Sequence, residues 1–182
     1  CERAGVSPDL MCLSKGLTGG YMPMSITVVK EKIYDAFYAD WSEGKAFMHS
    51  HTYAGNPLGC SAALAVLDIL DEENILERAE ETASWLSAHM EETFGAHPNV
   101  GEIRHIGLIH AVELVEDRAA KRPFDGGRRL GYAIYRRALQ HGLLLRPLGD
   151  VLYFNPPLNI GRDDLDTAIA RMKQSMDEVL GI

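Results

Sequence analysis

Lys15 follows a short apolar stretch and stands among three glycines, in the run Leu13-Ser14-Lys15-Gly16-Leu17-Thr18-Gly19-Gly20. An amine in such a place can lose part of its water, which lowers its pKa and leaves a neutral nucleophile. Schiff-base chemistry with a carbonyl cofactor requires that state, and glycines let the backbone come close to a bound group. The same spacing also suits a surface lysine in a flexible turn. A second cluster is His49-Ser50-His51-Thr52-Tyr53-Ala54-Gly55-Asn56-Pro57. Its hydroxyls, backbone N–H groups and nearby helix start make either a phosphate cradle or a polar loop that caps the helix. His49 and His51 find no third ligand at a convincing metal spacing, so no metal is expected. The third feature is Leu145-Arg146-Pro147, followed by Tyr153. An arginine at the end of a buried strand needs an anion, and its planar fork suits a carboxylate. A substrate carboxylate and an internal Asp or Glu both answer that need.

These groups must be held by elements that the residue pattern suggests. Residues 11–14 read as a short buried strand and 15–23 as a glycine-broken turn. The β-branched stretch 25–29 reads as a second strand, 31–38 as a short helix and 44–57 as a loop. From Leu58 the pattern is helical, with Leu64, Leu67 and Leu70 repeating and Asn56-Pro57 at its start. A further helix spans 74–94 with Asn74 as its N-cap, and Gly95 and Pro98 end it. Strands follow at 100–103 and 108–114, then a helix over 126–141 that stops at Gly142. Residues 143–146 and 151–154 read as strands about a turn at 147–150. The final helix, 163–180, carries the apolar stripe Leu165, Ile169, Met172, Met176 and Val179. The beginning of the chain thus resembles the end of an α/β domain, and its last half an α+β unit, with a boundary near residue 75.

Composition bounds the function. The chain has 182 residues, 18 basic against 26 acidic, for a net charge of −8. That balance and the lack of a dense basic stretch argue against nucleic acid or an anionic membrane as partner. No apolar run is long enough to cross a bilayer. Three cysteines (Cys1, Cys12 and Cys60) without C-x-x-C spacing point to neither disulfides nor zinc, and fit a cytoplasmic protein. The start at Cys1 has no initiator Met and no signal-peptide pattern, so the chain is expected to begin inside a larger protein. His105, His110 and the Glu-rich stretch 72–81 read as structural, and Arg128-Arg129 and Arg136-Arg137 as solvent-facing.

Taken in order, L-S-K-G-L-T-G-G-Y-x-P (13–23), H-S-H-T-Y-x-G-N-P-L-G-C-x-A-A-L (49–64), L-R-P (145–147) and N-P-P-L (155–158) resemble the class III aminotransferases. The resemblance covers essentially the whole chain. It implies an α/β protein of the pyridoxal-phosphate-dependent transferase fold type I, seen as its C-terminal half. Residues 1–75 would be the end of the large cofactor-binding domain and 76–182 the small α+β domain. Lys15 matches the lysine that binds pyridoxal 5'-phosphate as a Schiff base. His51 and Thr52 match the pair on the cofactor phosphate, which in this family comes from the neighbouring subunit of a homodimer. Ser50 matches a substrate-contacting position that is usually glycine, and the serine is a departure. Arg146 matches the arginine for the substrate carboxylate, and Tyr153 a tyrosine of the amino-donor pocket.

Within the class, the motifs are most similar to the branch that converts 8-amino-7-oxononanoate to 7,8-diaminononanoate in biotin biosynthesis. That branch implies S-adenosylmethionine, or in some relatives lysine, as amino donor. An ω-amino-acid or ornithine-type transaminase, and an inactive fragment that only dimerises, are the other readings. The family's aspartate facing the pyridine nitrogen would lie before Cys1, so the 182 residues alone are expected to be inactive.

Overall fold

The computed structural model describes all 182 residues, which divide into two compact units, Cys1–Glu73 and Asn74–Ile182. The division falls between two helices, close to residue 75.

In the first unit, β1 (Leu10–Ser14) pairs antiparallel with β2 (Ser25–Val29), with Leu10 opposite Val29 and Ser14 opposite Ser25. The strand expected to be buried is largely exposed, because no second layer covers this two-stranded ribbon within the unit. Between the strands lies a 3₁₀ turn, Lys15–Thr18. Helix α1 (Glu31–Tyr34) is one turn long rather than extending to residue 38. Beyond it the rings take over: Tyr34 stacks on Tyr38 at 5.3 Å and Phe37 meets Phe47 at 5.2 Å. Helix α2 (Pro57–Glu72) starts as its sequence suggests, with Pro57 in the first turn and the Asn56 side chain accepting from the Leu58 N–H at 3.1 Å. Its buried positions are the small residues Gly59 and Ala63, whereas Leu64 and Leu67 are exposed.

In the second unit, four antiparallel strands in the order β3-β4-β6-β5 form one sheet. They are β3 (Val100–Ile106), β4 (Ile109–Leu114), β5 (Arg146–Leu148) and β6 (Val151–Phe154). The helices are α3 (Ile75–Phe94), α4 (Leu130–Gln140) and α5 (Arg162–Leu180). Successive strand residues point to opposite faces. One face, carrying Val112, Leu152 and Phe154, joins Leu86, Met90, Ile134, Leu165, Ile169, Met172 and Met176 in a single core. The apolar stripe expected on the last helix is therefore its buried face, with only Val179 at the margin.

Three expectations move. Asn74 does occupy the N-cap of α3, but in the left-handed conformation (φ 50°) and without a side-chain cap bond. Asparagine tolerates that backbone better than most residues. The helix expected over 126–141 splits, because Arg129 at φ 48° separates a short 3₁₀ turn, Gly126–Arg128, from α4. The strand expected at 143–146 lies at Arg146–Leu148 instead, and the turn shrinks to Gly149 and Asp150. Gly149 has φ 60°, the first-position requirement of a tight hairpin turn. Pro147 is tolerated because β5 is an edge strand, where a missing N–H need not break a ladder.

His110 is fully buried on β4, its Nδ1–H donating to the Leu108 carbonyl at 3.3 Å and its Nε2 lying 3.0 Å from the Ser87 hydroxyl. The ring stacks on His105 at 5.0 Å. Burial pushes its pKa below the ordinary imidazole value, and His105 adds to this, against the opposing Leu108 hydrogen bond. The unfolded chain takes up that proton near pH 6.5. Below that value the unfolded state binds more protons than the native state, so stability falls until the lowered folded pKa is passed. We expect the chain's unfolding midpoint in urea to drop as pH is lowered from about 6.5, with H110Q flattening that slope. An unchanged slope in H110Q would exclude His110 as its source.

Candidate active site

The loop holding Lys15 is built from its neighbours. The Ser14 hydroxyl donates to the Met24 carbonyl at 2.9 Å, closing the base of the turn. The Thr18 hydroxyl, almost fully buried, donates to the Met22 carbonyl at 2.6 Å and pins the far side. Helix α2 comes close through its small residues: a Cβ on Gly19 would meet Val66 at 3.3 Å and one on Gly59 would meet Met24 at 3.5 Å. Lys15 itself has φ 51°. A left-handed non-glycine residue costs of order 1–3 kcal/mol and persists only where the surroundings impose it. The amine is exposed, so the partial desolvation expected of it is not supplied within this unit. Thr18 is the residue that sequence reasoning passed over. A hydroxyl four residues before a carbonyl that a glycine-rich turn would otherwise leave unpaired was the available signal.

The second cluster is an ordered turn. Tyr53 N–H donates to His51 Nδ1 at 3.2 Å, Ala54 N–H to the His51 carbonyl at 2.9 Å, and Asn56 N–H to the Tyr53 carbonyl at 3.1 Å. With Nδ1 accepting, neutral His51 carries its proton on Nε2 and presents a donor there. A cavity of about 920 Å³ opens beside this turn, lined among others by Ser14, Ser25, Thr27, His49, His51 and Asn56. Among apolar groups such as Met24 and Ile26, its polar lining is hydroxyls, imidazoles and an amide with no carboxylate, a set that can receive an anion. Lys15, Ser50 and Thr52 are exposed and do not line it, although their neighbours do.

In the second unit, Arg146 on β5 stands directly opposite Tyr153 on β6, which stands opposite Ala111 on β4. Directly opposed residues share a face, here the one turned away from the core. Leu148 and Val151 form the next pair on that face. Arg146 is exposed and forms no ion pair within this chain. Arg104 on the same face is already paired with Glu102 and Glu113, which raise its pKa, Glu113 the more. The hairpin turn is tied down by Asp150. Its carboxylate accepts from the Gly131 N–H of α4 at 3.1 Å, and its carbonyl from the Leu114 N–H at 2.9 Å. Neither Asp150 nor Gly131 stood out in the sequence, since a Gly-Asp pair reads only as a turn.

Residues 1–176 match the family described as aminotransferase class-III. The chain is 41% identical over 181 residues to the adenosylmethionine-8-amino-7-oxononanoate aminotransferase of Geobacter sulfurreducens, covering all of this chain and 40% of that protein. Among solved structures, it superposes with a TM-score of 0.92 on a transaminase from directed evolution by ancestral reconstruction. That match has 39% identity over 99% of this chain and 40% of the other. The adenosylmethionine-8-amino-7-oxononanoate aminotransferase of Methanocaldococcus jannaschii gives 0.86 at 35% identity, over 94% of this chain and 39% of its own. The chain thus spans about 40% of the length of the curated relative it matches. No helix is long and apolar enough to cross a membrane.

Asn56 both lines the cavity and caps α2. Asn56→Ala is expected to lower the chain's unfolding free energy in urea by about 1 kcal/mol, with Asn56→Asp near the parent value. Equal stability of all three proteins would show that the cap is not supporting the helix.

Proposed function

Because the chain belongs to the class III aminotransferases, a family dependent on pyridoxal phosphate, we propose that it is part of an enzyme that converts 8-amino-7-oxononanoate to 7,8-diaminononanoate. The observation that carries this reading is the surroundings of Arg146: a guanidinium without a partner, opposite Tyr153 and beside the apolar pair Leu148 and Val151. Such a place suits a carboxylate at the end of an aliphatic chain, because the fork binds the anion and the apolar pair takes the methylenes. The names of the Geobacter and Methanocaldococcus relatives point the same way.

The residues fit the cofactor. Lys15 offers an exposed amine on an imposed backbone, and the His51–Tyr53 turn offers an Nε2–H and the Thr52 hydroxyl to a phosphate. When bound, pyridoxal phosphate supplies an aldehyde for amines and a ring that withdraws electrons from the neighbouring carbon. Lys15 Nζ holds the cofactor at rest. Freed by an amino donor, the same atom would be placed to take a proton from the donor carbon and give it to the cofactor carbon, as base and then acid. Arg146 holds the carboxylate of the keto substrate while this occurs, and Tyr153 lines the place of the donor, S-adenosylmethionine or lysine. His51 and Thr52 serve the cofactor on Lys15 of a second copy, giving a homodimer with shared sites in the cytoplasm. Ser50 borders the substrate there. Similarity to the solved structure of a thermostable omega transaminase, 34% identical with a TM-score of 0.89, supports a second reading, an ω-amino-acid or ornithine-type enzyme. It keeps Lys15 and Thr52 and differs in the pocket around Arg146.

Borohydride reduction of the full-length polypeptide with pyridoxal phosphate is expected to place the pyridoxyl mass on the Lys15 peptide. Label confined to other lysines would overturn the role of Lys15. Arg146→Met is expected to raise KM for 8-amino-7-oxononanoate about 10- to 100-fold, the scale of a lost hydrogen bond to a charged group. Turnover of ornithine or β-alanine, with none of 8-amino-7-oxononanoate, would favour the second reading.

A further inference from the structure

Strand β5 has little to hold it. It is three residues long, lies at the edge of the sheet, and has Pro147 at its centre. Its ladder to β6 has three residue pairs only, at Arg146, Pro147 and Leu148. What fixes its position is the turn that follows. Asp150 reaches from that turn to the first turn of α4, where the N-cap residue Arg129 supplies no side-chain bond, and satisfies the Gly131 N–H at 3.1 Å. The same residue's carbonyl accepts from Leu114 N–H on β4 at 2.9 Å. Two elements thus grip one turn residue. The fit is close: a Cβ on Gly131 would stand 2.0 Å from the Gly149 carbonyl oxygen and 3.1 Å from Pro147 Cβ. A negative side chain at a helix N-terminus is also favoured by the helix dipole.

We propose that Asp150 is a positioning residue for Arg146: by bonding α4 to the hairpin turn, it holds β5 in the register that sets Arg146 beside Tyr153. Asp150 does not touch the substrate and acts only through the guanidinium. The proposal rests on the reading of Arg146 as the carboxylate-binding residue. Its consequence is selective, because a looser β5 displaces the carboxylate site and leaves Lys15 and its proton transfers alone.

The test is a double-mutant cycle in the full-length enzyme, reading KM and kcat for 8-amino-7-oxononanoate. Asp150→Ala is expected to raise KM about tenfold, within the range that a misplaced binding group costs, with kcat and bound pyridoxal phosphate kept. Asp150→Asn, which retains an acceptor oxygen, is expected to restore the parent KM. In the Arg146→Met background, Asp150→Ala is expected to change nothing further. The proposal is overturned if Asp150→Ala leaves KM unaltered while Arg146→Met raises it, an outcome that spares the role of Arg146. It is also overturned if Asp150→Ala raises KM equally in both backgrounds, which marks a general loosening of the unit. If Arg146→Met has no effect on KM, the carboxylate reading and this proposal fall together. Should the alanine variant not fold, Asp150→Glu, which keeps the charge and shifts the acceptor by one methylene, carries the same cycle and the same outcomes.

Discussion

A sheet covered on one face only is the constraint from which the second unit follows. Alternation along β4 and β6 sends His110, Val112, Leu114, Leu152 and Phe154 to one side and Ala111, Glu113, Val151 and Tyr153 to the other. The first set meets three helices and loses its water. Burying side chains such as Leu152, Met172 and Met176 contributes about 1.5–3 kcal/mol each, enough to fix the register, since a slip of one residue would invert every side chain. Once the register is fixed by the core, the opposite face is fixed as well, at no further energetic cost. Arg146 and Tyr153 face each other because Leu152 and Phe154 are buried.

The same logic explains which parts were legible in the amino-acid sequence. The stripe on α5 could be read because its spacing is the burial pattern itself. The start of α2 could be read because Asn56 and Pro57 act locally, through one hydrogen bond and one fixed dihedral. The placement of β5 could not, because a proline argues against strand unless the strand is known to lie at an edge, and strand order is a tertiary fact. The break at Arg129 was hidden for a similar reason. Nothing in Arg128-Arg129 disfavours helix, and the irregular backbone there accompanies a capping group, Asp150, that arrives from 19 residues downstream. Lys15 is a mixed case. Its chemical type and glycine-rich setting were plain, whereas its left-handed backbone and its exposure depend on what packs around the turn.

The two units place their reactive groups differently. In the first, the nucleophile candidate sits where the chain leaves a strand, with hydroxyls of Ser14 and Thr18 bonding across the turn and α2 approaching through small side chains. The backbone there is over-determined, which is how an unfavourable φ at Lys15 is sustained. In the second, Arg146, the residue proposed to bind the substrate carboxylate, sits on the shortest strand of the sheet. Edge position alone does not leave an arginine unpaired: Arg104 lies on β3, the opposite edge, and the carboxylates of Glu102 and Glu113 occupy it. At the edge, Arg146 has a strand on one side only, and its cross-strand neighbour is Tyr153, which cannot neutralise it.

An edge strand that keeps a guanidinium unpaired must be held by something other than its own ladder. Lengthening β5 would supply more bonds, but it would also extend an open edge that invites pairing with another chain. Pro147 removes one donor from that edge and so limits such pairing. A single turn residue substitutes for the bonds that a longer strand would have made, its carboxylate accepting from α4 and its backbone carbonyl from β4. On the proposed reading, the guanidinium of Arg146 is thereby free of partners within the chain yet held in place, a combination that an unsupported loop does not provide.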